Sequence, residues 1–396
     1  KYSFVMDTQN TPIHIRLWHR DFWFLVFANF LLSTIVYMQL ATLERLLVTS
    51  TGIGLSSLAQ GTILGVYGLG IFLLGPYCHY LVQCYRRKRV CQTAVAGMAL
   101  ISLLLHFVTA GMKGYALYVT GLVGMFWFGA FFGLAQMILS STLIIDITES
   151  AQRTEANYVS AWFRRFAIAA GPLAAIIFPT GTIAAELSMY AYVAVLILIG
   201  LAKIPFKTPD EDNRVFCLDR FIMSQGFVLT ITLLPVTIIL GMSAALAIHN
   251  PIFFSQLALG LLLALIAEKF VFVNADLQSE FISGSLLIIA ALLLYLTRSG
   301  MPVVEHLAPC LIGMGTGLVG SRILLFFIKL AHHCQRGTAQ SSFFLSWELG
   351  IAIGLCLGLW LSDYKTIDTV GLILAIATMI VYHFFTHPWY MAHKSR

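Results

Sequence analysis

"QRTEANYVSAWFRRFAIAAGPL", residues 152–173, and "QRGTAQSSFFLSWELGIAIGLC", residues 335–356, read as two degenerate copies of one segment. In register, Gln152, Arg153, Ala156, Ile168, Ala169 and Gly171 meet their own residue type at Gln335, Arg336, Ala339, Ile351, Ala352 and Gly354. Each copy is a polar hairpin that runs into an apolar helix. Arg165 falls opposite Glu348, so the copies carry opposite charges at matching positions. The chain is expected to be an internal duplication.

The surrounding composition says where such a duplication would sit. Of the 396 residues, 59% are hydrophobic and 11% are charged, with a mean hydropathy of +0.86, whereas soluble domains are about a quarter charged. A hydrocarbon core of about 30 Å needs roughly 20 helical residues. Apolar stretches of that length begin near residues 22, 54, 91, 115, 158, 184, 225, 252, 281, 303, 341 and 368, which gives twelve spans. They are continuously apolar, without the period-two alternation of a membrane barrel. The expected fold class is an all-α membrane protein whose twelve transmembrane helices form two pseudo-symmetric six-helix bundles.

The net charge of +6 sorts by loop and sets orientation; it does not point to nucleic acid. With the N-terminus in the cytoplasm, that side receives Lys1, the run Arg86, Arg87, Lys88 and Arg89, then Arg153, Lys203, Lys207, Lys329, Arg336 and Arg396. The other side receives only Arg45, Lys113, Arg298 and Lys365. Both termini are then cytoplasmic, in what is read as a bacterial inner membrane. Lys1 to Asn10 is polar and the first apolar run is of span length, so no cleavable signal is read and the first span serves for insertion. Seven scattered cysteines without a CxxC pair indicate neither a disulfide framework nor a zinc site. His332, His333 and Cys334 read as part of a basic loop, not as a metal site.

The longest polar interruption is "KIPFKTPDEDNRVFCLDRFIM", Lys203 to Met223. It divides residues 1–202 from 225–396, with 203–224 as a cytoplasmic linker. Duplicated six-helix halves of this kind occur in parallel-repeat transporters, with the substrate near the midplane between halves. Small residues at four-residue spacing (Gly61 and Gly65; Gly313 and Gly317; Gly350, Gly354 and Gly358) let helix backbones approach closely, for packing or for sliding.

Three local patterns resemble those of the major facilitator superfamily, over essentially the whole chain from about Trp18 to Pro388. After the second span, "GPYCHYLVQCYRRKR" carries Gly75, with His79 where that family usually has an Asp and a basic cluster from Arg86. The matching hairpin of the second half, "EKFVFVNADLQSE", places Asp276 at the acidic position. The hairpins "DITESAQRTEAN" and "HHCQRGTAQ" are similar to the family's Arg-containing loops, through Arg153 and Arg336. In the fifth span "AIAAGPLAAI" is similar to the family's antiporter pattern GxxxGPxxGG: Ala167, Gly171, Pro172 and Ala175 fit by size and Ile176 does not. A proline also bends a helix by removing a donor, which is the plain reading of Pro172.

Charges inside spans are costly and usually face a cavity or a partner. Arg164 and Arg165 lie about seven residues into the fifth span, roughly 10 Å along its axis. Glu348 lies at a comparable depth in the eleventh, and Arg322 sits in the tenth. Their depth places them in the cytoplasmic third and suggests a gate or latch. Alternatively, Glu348, the one carboxylate well inside a predicted span, carries a coupling proton, or the arginines hold an anionic substrate. The expected partners are Glu268 for Arg165 and Arg322 for Glu348, because in the resembled fold spans five and eleven are not neighbours.

The resemblance also implies that spans one, four, seven and ten line the cavity. Span one offers Asn29, Ser33 and Tyr37, and span four Phe126, Trp127, Phe131, Phe132 and Gln136. Span ten offers Thr316 and Arg322. An aromatic cavity with few charges suits an amphipathic or aromatic solute better than a sugar. The expected function is secondary active transport of such a solute by alternating access, as proton-coupled efflux or exchange by a monomer in membrane lipid, with no cofactor and no ATP-binding loop. The rivals are proton-coupled uptake of an organic anion, a lipid flippase of the same architecture, and a membrane-embedded transferase using His249, Asn250, Glu305 and His306.

Overall fold

The computed structural model describes residues 16–50, 55–109, 112, 114–178, 181–205, 214–273, 275–332 and 335–394. Lys1 to Asn10, Lys113, Lys207 with the middle of the linker, His333, Cys334 and Arg396 lie outside the described residues.

Among the described residues, twelve long helical segments follow one another: α1 (Arg20–Ser50), α2 (Ser57–Cys84), α3 (Arg87–Thr109), α4 (Gly114–Asp146), α5 (Arg153–Ile177) and α6 (Gly181–Leu201), then α7 (Ser224–Leu246), α8 (Pro251–Phe270), α9 (Leu277–Arg298), α10 (Pro302–Leu330), α11 (Arg336–Leu361) and α12 (Tyr364–His393). Eleven of these are long and apolar enough to cross a membrane. The twelfth is α5, whose 25 residues are of span length but include Arg153, Glu155, Arg164 and Arg165. The chain is a multi-pass membrane protein. The linker and the N-terminal ends of α1, α3, α5, α7, α9 and α11 share one end of the bundle, here the linker end; the opposite is the far end.

The duplication is visible in the packing. In the first six helices α5 packs on α1, α6 on α1, α4 on α3 and α6 on α3; in the last six, α11 packs on α7, α12 on α7, α10 on α9 and α12 on α9. The glycines that matched in sequence do matching work. A side chain at Gly171 would run into the Tyr37 Cβ at 2.6 Å and the Thr34 carbonyl at 2.7 Å on α1, and one at Gly354 would strike the Ile238 carbonyl on α7. Close backbone approach of this kind is what brings membrane helices together, because lipid is as apolar as leucine and burial alone provides little drive. Across the halves, α2 packs on α11 and α5 on α8, and a side chain at Gly61 would meet the Cys356 carbonyl at 2.6 Å.

Two helices break where the halves meet at the linker end. α2 is interrupted before a 3-10 turn at Gly75–Tyr77, where Pro76 lacks a backbone donor. α4 widens to a π-turn at Leu139–Leu143, a distortion frequent at functional sites.

Candidate functional site

Arg165 and Glu348 each reach into the opposite half. Glu348 on α11 is 0% exposed. The hydroxyl of Tyr37 on α1 donates to it from 3.0 Å to each carboxylate oxygen, and that of Tyr67 on α2 donates to Oε2 at 3.3 Å. Arg165 on α5 donates to Ser321 Oγ and, at 3.4 Å, to the Gly317 carbonyl, both on α10. Its guanidinium also lies 5.5 Å from the ring centre of Trp347, the residue preceding Glu348. The sequence expectation that spans five and eleven stay apart is therefore corrected. Arginine side chains are long and planar enough to lie along aromatic faces on the neighbouring helix.

Arg164, one residue earlier, has no such acceptor. It is 2% exposed, and its carbon centre lies 5.0 Å from the Phe344 ring and 5.8 Å from the Phe343 ring. None of its three guanidinium nitrogens finds a hydrogen-bond partner among the described residues. The charge of Glu348 acts on it without an ion pair. Stacking on aromatic rings contributes about 0.5–2 kcal/mol. Leaving a buried charge unpaired costs several kcal/mol, so Arg164 is a costly side chain for the fold.

Unsatisfied polar atoms continue along the contact between halves. Asn29 donates to the Ser160 carbonyl and hydroxyl at 2.9 Å and accepts from Gln136, linking α1, α5 and α4. Around it, Ser33 Oγ, Gln136 Oε1 and both polar atoms of Asn157 are buried without partners; on α11 so are both amide atoms of Gln340 and the hydroxyl of Ser341. Asn157 and Gln340 occupy the same place in the two sequence copies. Helical periodicity puts Asn157 two turns from Arg164 and Gln340 one turn from Phe344, each on a shared face. Phe344 meets Phe132 of α4 edge-on, with ring centres 5.4 Å apart. Buried polar atoms normally have partners, so this column of unpaired groups stands out from the packed helices around it. Tyr37, Ile168, Pro172, Ile351 and their neighbours line a void of about 20 Å³.

Contacts bridge the halves at both ends of the column. At the linker end, residues 214–223 wedge between the halves. The Cys217 amide donates to the Pro76 carbonyl of α2 at 3.1 Å, and Phe221 packs edge-on to Phe72 and fills the space left by Gly75. Asp219 lies 3.3 Å from His79 Nδ1 on α2 and accepts from Thr338 Oγ1 of α11 at 2.9 Å. Arg220, at a positive φ of 61°, donates its amide to Thr338 and its guanidinium to Thr142 in the π-turn, both at 2.9 Å. Met223 donates to Ser342 at 2.7 Å, and Arg336 to the Ser150 carbonyl at 3.4 Å. At the far end, Glu44 of α1 pairs with His249, just past α7, at 2.6 Å.

Several expected site residues stand elsewhere. Arg322 turns away from Glu348 and pairs with Glu280 of α9. The first half has a counterpart of reversed polarity, Arg87 of α3 with Asp146 of α4; Arg86, chosen for the basic cluster, is exposed. Glu280 and Glu44 are buried in α9 and α1, so Glu348 is not alone inside the helices. Arg165 and Glu268 form no direct ion pair; Glu268 instead accepts from Tyr158. Trp127 is 42% exposed on the outer surface, tilted against Phe131 and edge-on to Phe126; Phe131 covers Gly97 of α3. Thr316 bonds back to its own helix at Ile312. Asp276 precedes α9 without a side-chain capping bond, and the Nε of Arg153 has no partner among the described residues. Of the residues read for a transferase, Asn250 caps α8, His249 holds Glu44 and His306 meets Gln256, while Glu305 is exposed in the first turn of α10. Tyr67, Gln340 and the linker's Asp219 escaped the sequence reading. A signal, one polar group among apolar neighbours, exists for Tyr67 but not for Gln340, which stands in the polar run Thr338 to Ser342.

The arrangement of paired halves has solved parallels. A bacterial homologue of the iron transporter ferroportin, in an outward-facing state, superposes with a TM-score of 0.63 at 16% identity, over 93% of this chain and 100% of that one. The human organic anion transporter MFSD10 (TETRAN) gives 0.66 at 15% identity, over 91% and 98%. A variant of the nucleoside transporter NupG gives 0.63 at 12% identity, over 92% and 99%. The chain has the major facilitator fold. Its sequence matches no protein-family model and no curated protein.

Proposed function

We propose that this protein is a secondary active transporter of the major facilitator fold that moves a small organic solute through the polar column between its halves, coupled to protons at Glu348. Residues 203–224 are the linker between the halves, and the excess of Lys and Arg at that end makes it cytoplasmic. The observation that carries the reading is the crossed pair of contacts: Glu348 to Tyr37 and Tyr67, and Arg165 to Ser321. Both bridge the halves, and rocking one half against the other must break them. A buried carboxyl held by two phenol donors, with no cation in ion-pair contact, is suited to take up and release a proton as those donors withdraw. The solved relatives of this fold are named for an iron ion, organic anions and nucleosides. An organic solute is favoured here, because the described residues contain no cluster of three metal-binding side chains.

The test is a proteoliposome assay with a trapped pH dye, run against a panel of organic solutes. The reading expects solute-evoked proton movement with the native protein and none with Glu348→Gln. Solute flux without any proton movement, or equal proton movement in the variant, overturns the coupling.

A further inference from the structure

We propose that Arg164 is the anchor for an anionic group on the transported solute, so that the substrate class is small aromatic acids bearing a carboxylate or phosphate. The inference rests on the transport reading above and names what its site accepts. Three observations on different elements support it. The guanidinium of Arg164 is buried and has no hydrogen-bond acceptor among the described residues, although Arg165 beside it has two. Glu348, the opposite charge acting on Arg164, is already held by Tyr37 and Tyr67, and the two form no ion pair. Buried and unpartnered amide groups of Asn157 and Gln340 lie on the same helix faces, one from each half.

A guanidinium offers five N–H donors in a planar fork that matches a carboxylate or phosphate in two-point fashion. Phe343, Phe344 and Phe132 supply flat apolar surface next to that fork, which suits an aromatic body better than a hydroxylated one. The bound acid would give Arg164 the counter-charge that the empty fold lacks. It would do so without displacing the tyrosines from Glu348, which stays free to handle the proton.

The test uses the purified full-length protein in detergent and thermal unfolding, because a ligand that binds the folded state raises the melting temperature. The probes are benzoate, indole-3-acetate and phenyl phosphate, with benzamide and benzylamine as uncharged and cationic controls. The expected result is a shift with at least one acid, no comparable shift with either control, and loss of the acid's shift in Arg164→Met and Arg164→Gln. Arg164→Lys keeps the charge without the fork and should leave a weakened shift. Without ligand, Arg164→Met should melt no lower than the native protein, because it removes a buried charge that lacks a partner. A purely structural arginine would show a clear fall instead, and that fall overturns the proposal. So does a shift with benzamide equal to that with benzoate, an acid shift that survives Arg164→Met, or no shift with any of the three acids. Glu348→Gln should keep the acid's shift, so failure of proton coupling and failure of anion binding are read in separate assays.

Discussion

Arg165 and Glu348 occupy equivalent positions of a duplicated segment, and each makes its polar contacts in the half to which it does not belong. Equivalence under the pseudo-symmetry accounts for this. Matching helices face the interface from opposite sides, so a side chain directed toward the interface in one copy is directed toward it in the other. Divergence then made one basic and the other acidic. The two side chains do not meet each other; they form two separate fasteners at one level of the interface.

The Glu348 fastener depends on phenol donors. Tyr37→Phe removes one of them and leaves the carboxylate with Tyr67 alone, a loss of about 1.5–3 kcal/mol for a hydrogen bond to a charged group. The melting temperature should fall, and Tyr67→Phe, whose bond is longer, should lower it less.

His79 of α2 lies 3.3 Å from Asp219, in the segment that wedges between the halves. His79→Asp would place two carboxylates together and push the linker wedge out. Single-cysteine reporters at Ser341 should become more accessible from the linker end, whereas His79→Asn should leave labelling near the native rate. Equal labelling in all three proteins would remove this role.

Gly75 is small because Phe221 occupies the space that a side chain would take. Gly75→Ala should destabilise the closed linker end by about 1–3 kcal/mol, as overpacking does. Combining it with Phe221→Ala should recover part of that loss. Differential melting of the single and double variants measures the coupling between them.

At the far end the Glu44–His249 pair is partly open to solvent, with the histidine 46% exposed. The Glu44 carboxylate is itself buried, so removing its partner costs more than the roughly 0.2–1 kcal/mol of an exposed pair, and His249→Ala should shift the balance of far-end-open states by more than about fivefold. Labelling of a cysteine at Ile248 reports the shift.

Asp363 caps α12 by accepting from the Thr366 amide at 2.9 Å and from its hydroxyl at 2.6 Å, bonds that hold its carboxyl below the usual range. A depressed carboxyl stabilises the fold above its unfolded value, about 3.9, and that contribution is lost as pH falls through the folded value. Asp363→Asn, which caps without a charge, should flatten the acid limb of a melting-temperature profile.

Much of the fold could be read from the residues. The span starts follow from apolar runs, and the duplication from a handful of matched side chains such as Gly171 and Gly354, which the structure shows in matching contacts. The pairings were not legible. Arg322 had two acids within plausible reach, Glu348 and Glu280, and only the side of α10 on which it emerges decides for Glu280. Trp127 and Phe132 lie five residues apart with the same chemistry, yet one faces outward and the other faces α11. In a membrane, lipid and protein interior are equally apolar, so hydrophobicity cannot separate the two faces. The unpartnered nitrogens of Arg164 depend on what is missing around a residue, which no spacing rule encodes.

The wedge formed by residues 214–223 remains covalently attached to α7 and, through the rest of the linker, to α6. Once expelled it cannot diffuse away, and its return is a unimolecular event governed by an effective concentration in the millimolar range for a short tether. Resealing should therefore proceed at a rate independent of how many copies share the membrane. Lengthening the linker would slow it without altering a single contact in the sealed form.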